Sequence, residues 1–302
     1  MPIADVIVVG GGPAGLTAAI YLARFHLQTL VVDDGRSRAL MIPVSHNHAG
    51  HPAGIAGSEL VSRMRAQALQ YGAVVMEGCV TGISQADGVF EVSAGKPLRA
   101  RAILLATGVR NLRPRMDDDL HDRAVATGRL RYCPICDGFE VTDKRIAVIG
   151  SGKHGAREAL FLRSYSQDVA LIAADGPHIL DSASKFALED AGIAAIDGPA
   201  ADFALTGTGI ELQTANGRLQ FDSIYSGLGS DVHSGLAKTL GADLAEGGCI
   251  VVDNHHRTSI AGLYAAGDVV PGLDQISNAM GSGGIAATTI RNDLARISPL
   301  RR

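Results

Sequence analysis

The stretch IADVIVVGGGPAGLTAAIYLARFHLQTLVVDD, residues 3–34, decides the fold class. Ile3 to Val9 is a continuous apolar run of strand length, as in a parallel sheet buried on both faces. Gly10-Gly11-Gly12-Pro13-Ala14-Gly15 follows, and apolar residues recur at helical spacing from Gly15 to Phe25. Thr29 to Val32 is a second strand, ended by Asp33 and Asp34. Strand, G-x-G-x-x-G turn, helix and acid-tipped strand make one βαβ nucleotide cradle. Gly10 permits the tight turn, Gly12 lets backbone approach a pyrophosphate, and Gly15 lets helix and strand pack. Pro13 and Ala14 sit where the helix N-terminus offers unpaired N–H groups and positive dipole to phosphates. Asp33 is placed to accept from a ribose hydroxyl.

Working outward, residues 35–57 read as loop and Glu59 to Tyr71 as an amphipathic helix. Short strands are expected at Val74 to Met76, Gly78 to Gln85 and Val89 to Val92, with a turn at Asp87-Gly88. A buried strand, Ala102 to Ala106, stops at Thr107-Gly108. The layout then restarts: strand Arg145 to Ile149, a second G-x-G-x-x-G at Gly150-Ser151-Gly152-Lys153-His154-Gly155, helix to Tyr165, strand Val169 to Ala173. Later come Gly209 to Gln213, a turn at Asn216-Gly217, and Ile224 to Ser226 ending at Gly227, which matches the earlier strand-then-Gly ending. Ile250 to Val270 ends in Ala265-Ala266-Gly267-Asp268, and a helix from about Ile285 to Ile297 closes the pattern. The expected class is α/β, with two Rossmann-like nucleotide-binding domains, the second inserted into the first: 1–115 with 243–302, and 116–242.

The 302 residues suit two domains. The net charge of −4 and the absence of a basic block argue against a nucleic-acid partner. No apolar run nears the ~18 residues of a membrane span. No charged leader precedes the first strand, so a cytoplasmic location is expected. Of four cysteines only Cys133 and Cys136 are close in sequence. A structural zinc site needs four ligands, and Cys79 and Cys249 are isolated, strand-like and read as buried, inert thiols. The redox reading needs two joinable sulfurs and one stabilised thiolate, which Cys-x-x-C at a helix start supplies. Asp137 beside Cys136 can shuttle a proton during exchange or cap the helix. His46, His48 and His51 have irregular spacing without nearby carboxylates, so no metal site is expected there.

The late Ala265-Ala266-Gly267-Asp268 favours FAD in the first cradle, with Asp268 on a ribitol hydroxyl. Gln275 to Gly284 can place backbone N–H groups, those of Gln275 and Ile276 first, and a helix start beside the flavin pyrimidine. One or more of the loop histidines would then line the flavin edge or its entrance.

With these motifs the chain resembles the low-molecular-weight thioredoxin reductase family over essentially its full length. The markers are GGGPAG at 10–15, Asn47-His48-Ala49-Gly50, Ala106-Thr107-Gly108, CPICDG at 133–138, GSGKHG at 150–155 and AAGD at 265–268. The resemblance implies FAD in the discontinuous domain, held at Gly10, Gly12, Pro13, Ala14, Gly15, Asp33, Asn47, Thr107, Gly108, Gly267, Asp268, Gln275 and Ile276. It implies that Cys136 faces the flavin, that Cys133 attacks an external disulfide, and that Asp137 is the acid/base. It further implies a homodimer, a rotation of the inserted domain, and a thioredoxin-like protein or small disulfide as partner.

One part of the family pattern is missing. Family members follow the second strand of the inserted unit with a His-Arg-Arg run and a further Arg that bind the 2′-phosphate of NADPH. Here Val169 to Ile172 leads into Ala173-Ala174-Asp175-Gly176-Pro177, and no Arg or Lys occurs between Arg163 and Lys185. A dianionic phosphate facing Asp175 is repelled, so NADPH is disfavoured. Either Asp175 accepts from the 2′-hydroxyl of NADH bound over Gly150, Gly152 and Gly155, or the unit binds no nicotinamide and Lys153 covers the cradle or stays solvated. Reduced ferredoxin as donor, a small-molecule dithiol oxidase using oxygen, and a non-catalytic flavin-binding sensor module are the alternatives that follow.

Overall fold

The computed structural model describes residues 3–300. The chain runs β1 (Ala4–Val9), α1 (Pro13–Arg24), β2 (Thr29–Asp33), α2 (Gly57–Gln70), β3 (Val74–Glu77), β4 (Gly82–Ala86), β5 (Val89–Ala94), β6 (Lys96–Leu105) and β7 (Val109–Asn111). It continues with α3 (Asp118–Ala126), β8 (Leu130–Arg131), α4 (Pro134–Asp137), β9 (Ile146–Gly150), α5 (Gly152–Leu162), β10 (Val169–Ile172), α6 (Ser182–Asp190) and β11 (Ala194–Ile196). Then come β12 (Ala201–Leu205), β13 (Ile210–Thr214), β14 (Gly217–Phe221), β15 (Ser223–Gly227), β16 (Ser230–Val232), α7 (Gly235–Thr239), β17 (Leu263–Ala265) and α8 (Ile276–Ile297).

Two main sheets result. The first is ordered β3-β2-β1-β6-β5-β4, with β17 also on β6. β6 is long enough to serve two neighbours on one edge: Lys96 to Ala100 pairs antiparallel with β5, and Ile103 to Leu105 pairs parallel with β17. The second sheet, β11-β10-β9-β15-β8, is parallel throughout. Its strands β9, β10 and β15 are buried along their whole length, the pattern of a sheet covered on both faces. The two crossings between these sheets pair with each other, as β7 and β16.

Several expectations are corrected. A helix is expected from about Ile285, yet α8 starts at Ile276 and runs through the glycines of 281–284. The reason is packing: a Cβ on Gly283 would lie 2.3 Å from the carbonyl oxygen of Ala14, so α8 crosses α1 backbone to backbone. The hairpin turn of β13 and β14 is Ala215-Asn216, one residue earlier than expected, since Thr214 pairs with Gly217. Ile250 to Val270 contains only the three-residue β17. α3 and α6 went unrecognised although both carry a start signal: Asp117 accepts from Leu120 N at 2.8 Å, and Asp181 from Ser184 N at 2.7 Å. Neither Cys79 nor Cys249 lies in a strand or is fully buried; Cys79 is exposed and Cys249 half-buried.

The α1–α8 crossing makes a paired prediction. Gly283→Val should destabilise the protein by about 1–3 kcal/mol or more, because backbone cannot yield as a side-chain tip does. Gly281→Ala, with nothing within 4 Å of its added carbon, should stabilise by up to about 1 kcal/mol. Denaturant melts of the two variants check both signs.

Candidate active site

The first cradle is built around contacts that only glycine allows. Gly10 has φ +107°, and a Cβ there would lie 2.3 Å from Ala106 O. A Cβ on Gly11 would strike the Asp33 carboxylate at 2.4 Å, and Gly11 N donates to Asp33 Oδ1 at 3.0 Å. Gly11 and its pairing with Asp33 are absent from the sequence reading, whose fingerprint treats that position as variable. Asp33 also faces Arg65 at 3.7 Å. α1 begins on Gly12 with no side-chain cap and no acid in its first turn, so its N–H groups are open to an anion. α8 begins on Gln275 in the same way.

Asp268 ends the segment after β17 and is three-quarters or more withdrawn from water. Burial raises its pKa, against the pull of Arg38, which donates to its Oδ2 at 2.6 Å. Arg38 also reaches Asp274 at 3.2 Å and Asn111 Oδ1 at 3.2 Å. It lies in the loop of 35–57, where nothing in the sequence singles it out. Thr107 Oγ1 donates to His233 O at 2.7 Å, while His233 Nδ1 lies 3.0 Å from Thr107 O. Thr107 and Gly108 thus clamp the crossing next to β16. These groups fit a dinucleotide with ribityl hydroxyls: two uncapped helix starts for anionic and carbonyl oxygens, and Asp33 and Asp268 as hydroxyl acceptors.

Cys133 and Cys136 form a disulfide across the start of α4. Cys133 is the helix N-cap, its Sγ 3.2 Å from the donating Cys136 N. Both sulfurs meet the other lobe at one atom: Gln275 Nε2 lies 3.3 Å from Cys133 Sγ and 3.2 Å from Cys136 Sγ. Asn47 Nδ2 in turn donates to Gln275 Oε1 at 2.9 Å. Cys133, Cys136, Asn47 and Gln275 therefore come together, although they span most of the chain, whereas Ile276 packs on the cluster of Leu16, Ala39 and Leu60. His48 and His51, on the Asn47 loop, stack at 5.2 Å between ring centroids. Burial, with His51 second, lowers the His48 pKa.

Asp137 is held rather than free. Arg131 donates to its Oδ2 at 2.7 Å, and the fully buried Tyr225 donates to its Oδ1 at 2.9 Å. Burial pushes the carboxyl above the usual aspartate range, and Arg131 is the chief force in the other direction. Tyr225 is pushed far above the ordinary phenol range by burial and the adjacent carboxylate, so it stays a donor.

The second cradle keeps its glycine geometry but carries a lid of its own chain. Ser151 Oγ accepts from Ile179 N at 2.9 Å and lies 3.2 Å from His178 Nδ1. His178 Nε2 lies 3.1 Å from Leu171 O, and His178 N donates to Asp197 Oδ1 at 2.8 Å. The residues laid against the turn are thus His178 and Ile179. Lys153 points away, 84% exposed, to Asp181 at 3.5 Å. Asp175 pairs at 3.4 Å with Arg115 from the crossing near β7, a cation that lies far from Asp175 in sequence. The cavity left between Arg113, Arg115, Asp175 and Leu228 is ≈ 100 Å³, against roughly 300–1,000 Å³ for typical ligand pockets. Among the described residues no group of three or more His, Cys, Asp or Glu is arranged to hold a metal, and no helix is long and apolar enough to cross a membrane.

Comparison with known proteins agrees with this geometry. Residues 4–283 match the family model for pyridine nucleotide-disulphide oxidoreductases. A thioredoxin reductase of Listeria innocua is 31% identical over 93% of this chain and 91% of its own. The crystal structure of HlmI superposes with TM-score 0.88 at 27% identity, covering 97% of this chain and 93% of that one. The Lactococcus lactis thioredoxin reductase in its FR conformation is 26% identical over 97% of this chain and 99% of its own, but with TM-score 0.63. The chain belongs to the pyridine nucleotide-disulphide oxidoreductases and, within them, to the low-molecular-weight thioredoxin reductase-like enzymes.

Proposed function

We propose that this enzyme is an FAD-dependent dithiol–disulfide oxidoreductase that exchanges electrons through Cys133 and Cys136 and uses NADPH poorly. The reading rests on one observation above all: the disulfide of the second lobe lies against Gln275, at the helix start that closes the first cradle. Gly10, Gly12 and Gly15, with Asp33 and Asp268 for its hydroxyls and Gln275 and Ile276 for its ring, would hold FAD, which would supply two-electron exchange with that disulfide. The chain's own residues do the rest. The α4 start and the Cys136 N–H favour thiolate over thiol. Cys133 attacks the partner disulfide and Cys136 resolves the mixed disulfide. Asp137, with its raised pKa, carries the proton that one sulfur gives up and the other takes.

A protein disulfide cannot reach sulfurs that face Gln275, so turnover on such a partner requires the lobes to rotate about the paired crossings β7 and β16. Ile135 and Phe139 flank the pair, 49% and 80% exposed, and offer an apolar surface to a thioredoxin-like partner. A small dithiol or disulfide is the second substrate class. It is favoured by the lid on the second cradle, which leaves the substrate itself or a protein such as ferredoxin as electron source. NADH stays a weaker candidate, because Ser151 of the second cradle is bonded to His178 and Ile179 and the cavity beside Asp175 is small. The proposed domain division, 1–115 with 243–302 and 116–242, puts one lobe on each side of this exchange.

Cys133→Ser should abolish disulfide turnover while bound flavin stays stoichiometric; unchanged turnover would remove the pair from the mechanism. Anaerobic mixing with NADPH or NADH should leave the visible flavin absorbance nearly unchanged, whereas a small dithiol should bleach it. Asp137→Asn should slow turnover by about 100-fold or more. It should also erase a pH limb lying above the ordinary aspartate range. Because Arg131 pulls the Asp137 pKa down, Arg131→Met should move that limb to higher pH, and pH–rate profiles of the three proteins test the sign.

A further inference from the structure

We infer that Gln275 is a catalytic residue of the thiol chemistry: its side-chain amide, held in one orientation by Asn47, donates to the sulfur that becomes a thiolate when the disulfide opens. The inference rests on the reading of Cys133 and Cys136 as a redox pair.

The amide carries two N–H donors on Nε2, and the two sulfurs lie at 3.3 and 3.2 Å from it. Its orientation follows from its neighbours. Oε1 accepts from Asn47 Nδ2 at 2.9 Å, and Asn47 Oδ1 accepts from Ser45 Oγ at 3.1 Å. Ser45 is buried and its backbone is paired both ways with Ile55, at 2.8 and 3.0 Å. A flipped Gln275 would set oxygen against sulfur lone pairs and N–H against N–H. The far end is anchored as well, since Gln275 is the N-cap of α8.

The two sulfurs are not equally served. Cys133 Sγ also receives the Cys136 N–H, whereas Gln275 is the donor recorded on Cys136 Sγ among the described residues. A disulfide sulfur is a weak acceptor and a thiolate a strong one, so the contact strengthens as the bond breaks. With a small dithiol as reductant the exchange is balanced. The S–S bond of the pair breaks and that of the cyclic product forms. Two electrons pass to the pair, one proton stays on its thiol and one leaves to solvent beside the thiolate. Gln275 therefore biases the pair towards its reduced form.

The test equilibrates the holoprotein anaerobically with mixtures of reduced and oxidised dithiothreitol at fixed pH. Reduced pair is counted by the mass added on maleimide capping, in a Cys79→Ser/Cys249→Ser background. Gln275→Leu and the near-isosteric Gln275→Glu, which lacks an N–H donor, should each shift the equilibrium about tenfold towards the disulfide. Asn47→Asp should shift it the same way, because Gln275 must then turn its N–H groups to the carboxylate. That exposed substitution keeps the test open if a Gln275 variant misfolds. A wild-type equilibrium in Gln275→Glu or in Asn47→Asp overturns the inference. A parent protein whose pair takes no electrons from the dithiol overturns the functional reading beneath it instead.

Discussion

Ala14 is the point on which the candidate site converges. It lies in the first turn of α1, over the glycine turn that follows β1. A Cβ on Gly283 would come within 2.3 Å of its carbonyl oxygen, and one on Gly267 within 2.8 Å of its methyl group. Gly15, next in the chain, presses on Gly10 O at 2.0 Å by the same measure. So the β1 turn, the end of β17 and the long helix α8 are locked together without side chains between them. That lock sets where α8 begins, and hence where Gln275 stands. It also sets where Asp268 sits relative to the helix start of α1. Close packing converts a local glycine requirement into the geometry of a site assembled from three distant segments.

Electrostatics around the sulfurs follow from burial and not from an excess of charge. Asp137 is drawn down by Arg131 and Tyr225 but pushed up more strongly by desolvation. A carboxyl in that balance changes its proton readily when a neighbouring sulfur changes charge, which an exposed aspartate, ionised throughout, does not. Arg131 is itself fixed, with Nε 3.1 Å from Gly128 O and 3.2 Å from Ser223 Oγ. The ion pair therefore keeps one geometry while the proton count varies.

How much of this could be read from the sequence differs by element. The two βαβ units were legible because their strands are buried runs and their turns need glycine; β1, α1, β2, β9, α5 and β10 lie within a few residues of their expected places. The Cys-x-x-C is legible as a pair because a separation of three residues brings sulfurs together locally. Contacts set by tertiary packing were not. Arg38 on Asp268, Arg131 on Asp137, His233 on Thr107 and Asn47 on Gln275 join residues whose neighbours in sequence give no hint of a partner. The continuous run of α8 has a related cause: Gly281, Gly283 and Gly284 are poor helix formers, and only the packing of Gly283 on α1 shows why the helix passes through them.

The second cradle shows why a fingerprint and a binding site are separate claims. A Cβ on Gly150 would lie 2.4 Å from Gly227 O, and one on Gly155 3.0 Å from the carbonyl carbon of Gly150. Both glycines are thus required by the packing of β9, β15 and α5, whether or not a nucleotide ever sits there. Ser151 is the turn's one hydroxyl, and it is spent on His178 and Ile179. A strand-turn-helix corner keeps its glycines for the fold's sake, while the residues that would reward a phosphate are free to change. Reading a ligand from G-x-G-x-x-G therefore needs the residues bonded to the turn as well as the turn itself, and here the turn's serine is bonded to the chain's own histidine.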